Sequence, residues 1–104
     1  MQDETVTFLS KAKKLITQNK RSVAWRADFV QGLALIGILN IDEIWKHILD
    51  LTKFQWIVDY KPSYDGGQEA YIFMKKVNGH ETYVKIKIKV YDEEILVCIS
   101  FHKK

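Results

Sequence analysis

Apolar residues recur at intervals of three and four positions near the start of the chain, which is the spacing of one face of an amphipathic helix. The pattern predicts a first helix from about Thr5 to Asn19. Lys11, Lys13 and Lys14 lie on the opposite, polar face of this helix. The apolar positions are Phe8, Leu9, Ala12, Leu15 and Ile16.

Two further helices are predicted before residue 52. The helical spacing resumes after Ser22, a residue type that can cap a helix start, and this second helix ends near Gly37. Asn40 followed three residues later by Glu43 resembles a capping box, and it predicts a third helix that ends near Leu51.

The apolar pattern then changes to a period of two, which is typical of strands. The segment Thr82–Tyr91 alternates strictly and predicts a half-buried strand. Ile95–His102 alternates in the same way and predicts a partner strand, joined through a short turn at Asp92-Glu93. Glu69–Val77 predicts a third strand, and Asn78-Gly79 is the dipeptide most typical of the tight type I′ turn that would follow it.

A weaker apolar segment, Phe54–Tyr60, predicts a fourth strand, and the polar stretch Ser63–Gln68 predicts a loop before the third. Three helices followed by an antiparallel meander indicate an α+β fold, with the N-terminal helices packed on one face of a C-terminal antiparallel sheet. The chain has one proline and no Gly/Ser-rich linker, so residues 1–104 are predicted to form a single domain.

Composition limits the classes of function. A chain of 104 residues, 47% of them hydrophobic, has no room for a cofactor-binding domain beside its core. A lone cysteine, Cys98, and three scattered histidines indicate no metal site, and we expect no cofactor. The longest apolar run, 32–39, is well short of the roughly 20 residues that cross a bilayer. With no charged-then-apolar leader, we expect a soluble, cytoplasmic protein without a membrane partner.

The formal net charge of +3 is mild, but the lysines are clustered. The stretch 11–26 contains no acidic residue, and five lysines lie between residues 75 and 89 with only Glu81 opposing them. Such clusters are typical either of a phosphate-binding surface or of an ordinary solvated face, and both interpretations stay open.

Pleat geometry predicts which side chains share a face of the sheet. Val84, Ile86, Ile88 and Val90, together with Val97, Ile99 and Phe101, are expected to face the helices. The opposite, open face would then carry Tyr83, Lys85, Lys87, Cys98, Ser100 and His102.

The chemistry of that open face suits cleavage of RNA. The 2′-hydroxyl of RNA is the nucleophile, so the protein supplies only a general base, a general acid and positive charge near the phosphate. Histidine can accept and donate a proton near neutral pH, which makes His102 the candidate acid or base. The simpler interpretation is that Tyr83 and the lysines form the wet face of a sheet and that His102 is a terminal surface residue.

Several motifs in the second half of the chain are similar to those of the MqsR family, the toxins of type II toxin–antitoxin systems. The first half agrees with the family in pattern and length, including the lysine-rich segment from Leu9 to Leu15. The motifs are Leu51-Thr52, Tyr64-Asp65-Gly66, Tyr71-Ile72-Phe73, Asn78-Gly79, the run from Glu81 to Lys87 (ETYVKIK) and the run from Val97 to His102 (VCISFH). The resemblance implies a RelE-like fold and a ribonuclease that cuts mRNA without a metal ion. It also implies a cognate antitoxin as the protein partner.

The resemblance carries over to individual residues unevenly. The family's strand tyrosine matches Tyr83, and its C-terminal lysine or histidine matches His102. The family's aromatic-aromatic-lysine motif places Val58 where lysine is expected, and Lys61 is the candidate replacement. Gln68 and Glu69 both lie near the position of the family's glutamine.

Two hypotheses follow from the sequence. The first is a metal-independent mRNA endoribonuclease that acts as a toxin; its candidate catalytic residues are His102, Tyr83, Lys61 and Lys85, and its candidate RNA-binding residues are Lys87, Trp56, Tyr60 and Gln68. The second is a non-catalytic RNA-binding or protein-interaction module, because Val58 stands where the family has a catalytic cation.

Overall fold

A computed structural model of the protein describes residues 4–24, 27–52, 63–65, 68–90 and 92–104. Three helices come first, interrupted by one short strand, and four strands follow. The elements are α1 (Glu4–Thr17), β1 (Arg21–Val23), α2 (Ala27–Leu35), α3 (Glu43–Leu49), β2 (Ser63–Asp65), β3 (Gln68–Val77), β4 (His80–Val90) and β5 (Glu94–Lys103). This order confirms the predicted α+β arrangement of helices before the sheet.

The strands form one five-stranded sheet in the order β1-β5-β4-β3-β2. The β3–β4 and β4–β5 pairs are antiparallel, as predicted for the meander, and β2 pairs with β3 in the same antiparallel way. The sequence did not predict β1, a strand from the N-terminal half that pairs with β5 in parallel, with Arg21 opposite Leu96 and Val23 opposite Cys98. Ser22 therefore lies in a strand and does not cap α2, which begins at Ala27.

The ends of the first two helices follow from residues that adopt positive φ. Asn19 (φ 62°) and Gly37 (φ 80°) each lie two residues after the last residue of a helix. After α2, the Ile38 N–H donates to the Leu33 carbonyl and the Gly37 N–H donates to the Ala34 carbonyl, which is the Schellman pattern. Glycine is favoured at position 37 because a Cβ is strained at this φ.

The start of α3 differs from the predicted capping box. The Asn40 side chain accepts a hydrogen bond from the Asp42 N–H at 3.0 Å, so Asn40 forms a turn before the helix. Asp42 is the residue at the N-cap position, and its side chain makes no capping hydrogen bond.

Two lysines from other elements bind carbonyl groups at the carboxyl end of α3. Lys75 Nζ donates to the His47 carbonyl at 3.0 Å, and Lys13 Nζ donates to the Leu51 carbonyl at 2.7 Å. The last carbonyls of a helix lack partners within the helix and carry partial negative charge, which favours the contact of Lys75 with His47. Leu51 lies two residues beyond the end of α3. These contacts tie α1 and β3 to α3.

The Asn78-Gly79 turn joins β3 to β4 as predicted. Both residues have positive φ, 52° and 83°, as a type I′ turn requires. The Asn78 side chain also donates to the Ile36 carbonyl at 2.8 Å, which attaches the turn to the end of α2.

The predicted loop at Ser63–Gln68 was wrong in part, because Ser63–Asp65 pairs with Gln68–Ala70 as strand β2. The predicted strand at Phe54–Tyr60 lies outside the described residues. At the far end of β4, Val90 is 58% exposed, so the predicted inward face does not extend to the end of the strand.

A β-bulge changes which residues of β5 face the core. Lys85 lies opposite Ser100, but the next residue, Ile86, lies opposite Cys98, so Ile99 is an extra residue in β5. The core cluster contains Leu96, Cys98 and Phe101 from this strand, Val84 and Ile86 from β4, Phe73 from β3, and apolar residues of α1, α2 and α3.

The predicted inward set on β5 was therefore wrong at Val97 and Ile99. Val97 is only half-buried, while Leu96 and Cys98 are 0% exposed. Ile99 is buried, but it lies outside the core cluster. Strict alternation fails here because the bulge shifts the alternation by one residue.

Candidate functional site

Tyr83 on β4 and His102 on β5 form a directly opposed cross-strand pair. Their rings are stacked, with centroids 5.1 Å apart and planes inclined by 18°. Tyr83 is half-buried and His102 is exposed. The His102 ring is therefore accessible to a ligand, while the Tyr83 ring is partly covered by its neighbours. The structure thus brings together the two residues that the sequence identified as the principal candidates.

The next residues on the same face extend this pair. Lys85 lies opposite Ser100, two residues from Tyr83 and His102 along their respective strands. Both residues are partly exposed. A phenol, an imidazole, an ammonium group and a hydroxyl therefore share one patch, which we call the Tyr83–His102 site.

The bulge at Ile99 makes this patch compatible with the core. If β5 alternated strictly from Leu96 and Cys98, then Ser100 and His102 would point into the core with them. The extra residue reverses the alternation, so that Ser100 and His102 share a face with Lys85 and Tyr83.

One nitrogen of the His102 ring lies within hydrogen-bonding distance of the neighbouring backbone. Its Nδ1 lies 2.9 Å from the Lys103 carbonyl oxygen. Because a carbonyl oxygen only accepts, a hydrogen bond here places the proton on Nδ1. The neutral ring then presents Nε2 as an acceptor, which is the form needed by a general base.

A groove between α2 and the end of β5 borders His102, and sequence reasoning missed it. Its cavity volume is about 380 Å³, and its lining residues include Asp28, Gln31 and Leu35 from α2. Gly32 brings the helix close, since a Cβ at this position would lie 3.2 Å from the His102 Cβ. A glycine inside a helical pattern was the available signal for this close approach.

The remaining candidates are distributed unevenly. Lys87 is on the same face as Lys85 but is only 7% exposed, so its charge lies beneath the surface. Gln68 begins β3, and its side chain lies outside the described part of the chain. Trp56, Tyr60 and Lys61 also lie outside the described residues.

The lysines of the helical half contribute less positive surface than their spacing suggests. Lys11 forms an ion pair with Glu94, and Lys20 forms one with Glu93 at 3.5 Å. The acidic turn between β4 and β5 therefore offsets part of the charge of α1, whereas the α3 contact of Lys13 directs that ammonium group inward.

Two titratable groups near the core have altered acidity. Burial lowers the pKa of His47, and the positive charge of Lys75 lowers it further. Burial raises the pKa of the Cys98 thiol far above its ordinary value. The expectation that Cys98 lies on the open face was wrong, and a thiol this deeply buried is a packing residue with no nucleophilic character.

The described residues contain no group of three or more His, Cys, Asp or Glu side chains that could hold a metal ion. No helix among them is long and apolar enough to cross a membrane.

Neither protein-family models nor curated proteins give a match to this chain.

Proposed function

We propose that this protein is an mRNA endoribonuclease that acts as the toxin of a type II toxin–antitoxin system. The observation that carries the proposal is the stacked cross-strand pair of Tyr83 and His102, with Lys85 and Ser100 beside it. The motif resemblance to the MqsR family supports the same function and a RelE-like fold.

In the proposed reaction, the 2′-oxygen of RNA attacks the adjacent phosphorus and the bond from phosphorus to the 5′-oxygen breaks. His102 Nε2 accepts the proton of the 2′-hydroxyl, because Nδ1 is engaged with the Lys103 carbonyl. The 5′-oxygen takes a proton from solvent water as it leaves, so the products are a 2′,3′-cyclic phosphate and a 5′-hydroxyl. No metal ion or cofactor is required for these steps.

The other side chains act on the phosphate. The Tyr83 hydroxyl donates to a phosphate oxygen, and the Lys85 ammonium stabilises the negative charge that develops there. Lys87 adds positive potential from below the surface, whereas Lys61 and Gln68 are proposed as further phosphate contacts. Aromatic residues Trp56 and Tyr60 are proposed to stack on bases.

The decisive experiment is cleavage of a long RNA by purified protein in EDTA. We expect fragments with cyclic phosphate ends, and a rate about 10²–10⁴-fold lower for His102→Gln. His80→Gln is the matched control, since His80 starts β4 away from the Tyr83–His102 site. Tyr71→Phe similarly controls for Tyr83→Phe, because Tyr71 stacks on Phe8 on the helix side.

Intact RNA after incubation with folded wild-type protein would reject the endoribonuclease. The second candidate, a non-catalytic RNA-binding module, is favoured by Val58 at the position of the family's lysine. It predicts salt-dependent RNA binding with no fragments. Induced expression separates the two in cells, since only the toxin should arrest growth in a Tyr83-dependent way.

The proposal also implies a partner and a location. A toxic ribonuclease needs neutralisation, so we expect a small antitoxin encoded in the neighbouring open reading frame. Because the proposed substrate of the ribonuclease is mRNA, we expect the ribonuclease to act in the cytoplasm. Co-expression with that neighbouring gene should restore growth if the neighbour is the antitoxin.

A further inference from the structure

The sheet ends at β1, which has β5 on one side and no other neighbour among the described strands. The Leu96 N–H donates to the Lys20 carbonyl at 2.9 Å, and the Ala24 N–H donates to the Cys98 carbonyl at 3.0 Å. Backbone groups of alternate residues point to opposite sides of an extended strand. Those of Arg21 and Val23 therefore face away from β5, at an edge that carries no further strand among the described residues.

A groove runs beside this edge. Its cavity volume is about 240 Å³, and it is lined by β1 on one side and by Ile41, Asp42 and Trp45 on the other. An edge strand next to the start of a helix is a geometry in which an extended peptide can add to a sheet. The volume accommodates one peptide side chain.

Arg21 is held in a fixed position within the groove. Its guanidinium lies over the Trp45 ring, 5.5 Å from the centroid, and its Nη1 donates to the Ile16 carbonyl at 3.0 Å. A guanidinium held in one orientation binds a carboxylate without losing much side-chain entropy. Asp42 lines the same groove and would repel a second acidic group.

We propose that the β1 edge binds an extended peptide strand that carries one carboxylate among neutral residues. The peptide backbone pairs with the outward N–H and C=O groups of Arg21 and Val23, and its carboxylate binds Arg21. Only these two residues of the three-residue strand face outward, so the side-chain contact decides specificity. This inference is independent of the ribonuclease proposal.

The test is titration of the ¹⁵N-labelled full chain with the blocked peptide acetyl-Thr-Val-Glu-Val-Thr-amide. We expect shifts of the Arg21 and Val23 amides, and slower hydrogen exchange at both. Replacing the peptide's glutamate by glutamine should weaken binding about tenfold, the effect of losing one charge-assisted hydrogen bond. Replacing it by lysine should weaken binding further. Equal affinity of all three peptides would overturn the carboxylate assignment.

N-methylation of the peptide tests the backbone pairing. In an added strand, the N–H groups of every second residue face β1. Methylation of the N–H groups that face β1 should abolish binding, and methylation of those that face away should leave binding unchanged. Equal effects of the two sets would overturn strand addition. The result does not depend on any change to the protein.

A protein variant provides the complementary measurement. Arg21→Gln should remove the preference for glutamate over glutamine, while the pattern of N-methyl effects persists. Lys20→Gln is the matched control, because Lys20 is adjacent but pairs with Glu93. Concentration-dependent shifts of the Arg21 and Val23 amides without peptide would show a second copy on this edge, which would overturn the proposed peptide partner.

Discussion

Truncation of Leu96 and of its neighbour Val97 tests the bulge and the face assignment together. Leu96 is 0% exposed and belongs to the core cluster, whereas Val97 is half-buried and lies outside it. Strict alternation of β5 assigns these roles the other way round. With the bulge, Leu96→Ala should be the more destabilising of the two substitutions. With strict alternation, Val97→Ala should be the more destabilising.

The expected magnitudes follow from the carbon atoms removed. Leu96→Ala deletes three buried carbons, worth about 2.4 kcal/mol in transfer free energy, and the cavity raises the loss to about 3–4 kcal/mol. Val97→Ala deletes two half-buried carbons, worth about 0.8 kcal/mol. At about 4–8 °C per kcal/mol for a domain of this size, a loss of 3 kcal/mol lowers Tm by about 12–24 °C.

Urea unfolding followed by tryptophan fluorescence measures both free energies of unfolding. Equal m-values for wild type and variants would show that the comparison concerns native-state stability. A loss for Val97→Ala equal to or greater than that for Leu96→Ala would refute the bulge assignment. It would not move His102, because strict alternation from Val97 also places His102 on the face of Tyr83.

Three further predictions concern titration, the turn and the groove. Because the pKa of His47 is lowered from 6.5 in the folded protein, the free energy of unfolding should fall as pH drops below about 6.5. Urea titrations at pH 7 and pH 5 measure this loss of stability, and His47→Gln should make it smaller. Gly79→Ala should cost about 1–2 kcal/mol because φ is 83°, although a Cβ would meet no atom there; a thermal midpoint equal to that of wild type would contradict this. Gly32→Ala should lower RNA cleavage more than Gly37→Ala does at matched folded fraction, since only the first Cβ presses on His102.

Local sequence patterns determined much of this protein. The α1 stripe, the alternation of β4 and the Asn78-Gly79 turn each depend on residues close together in the chain, whose spacing and backbone preferences suffice to predict them. The shared face of Tyr83 and His102 was also predictable, because both residues lie on the strands of one antiparallel hairpin, at the end away from its turn.

Tertiary structure alone decided the remaining features. The three residues of β1 are too few to show a period, and their parallel pairing requires a partner strand from the other end of the chain. The bulge at Ile99 is a property of two strands together, because only the register against β4 identifies the extra residue. The groove beside His102 depends on the close packing of α2 at Gly32, and helical spacing does not specify which strand a helix will touch.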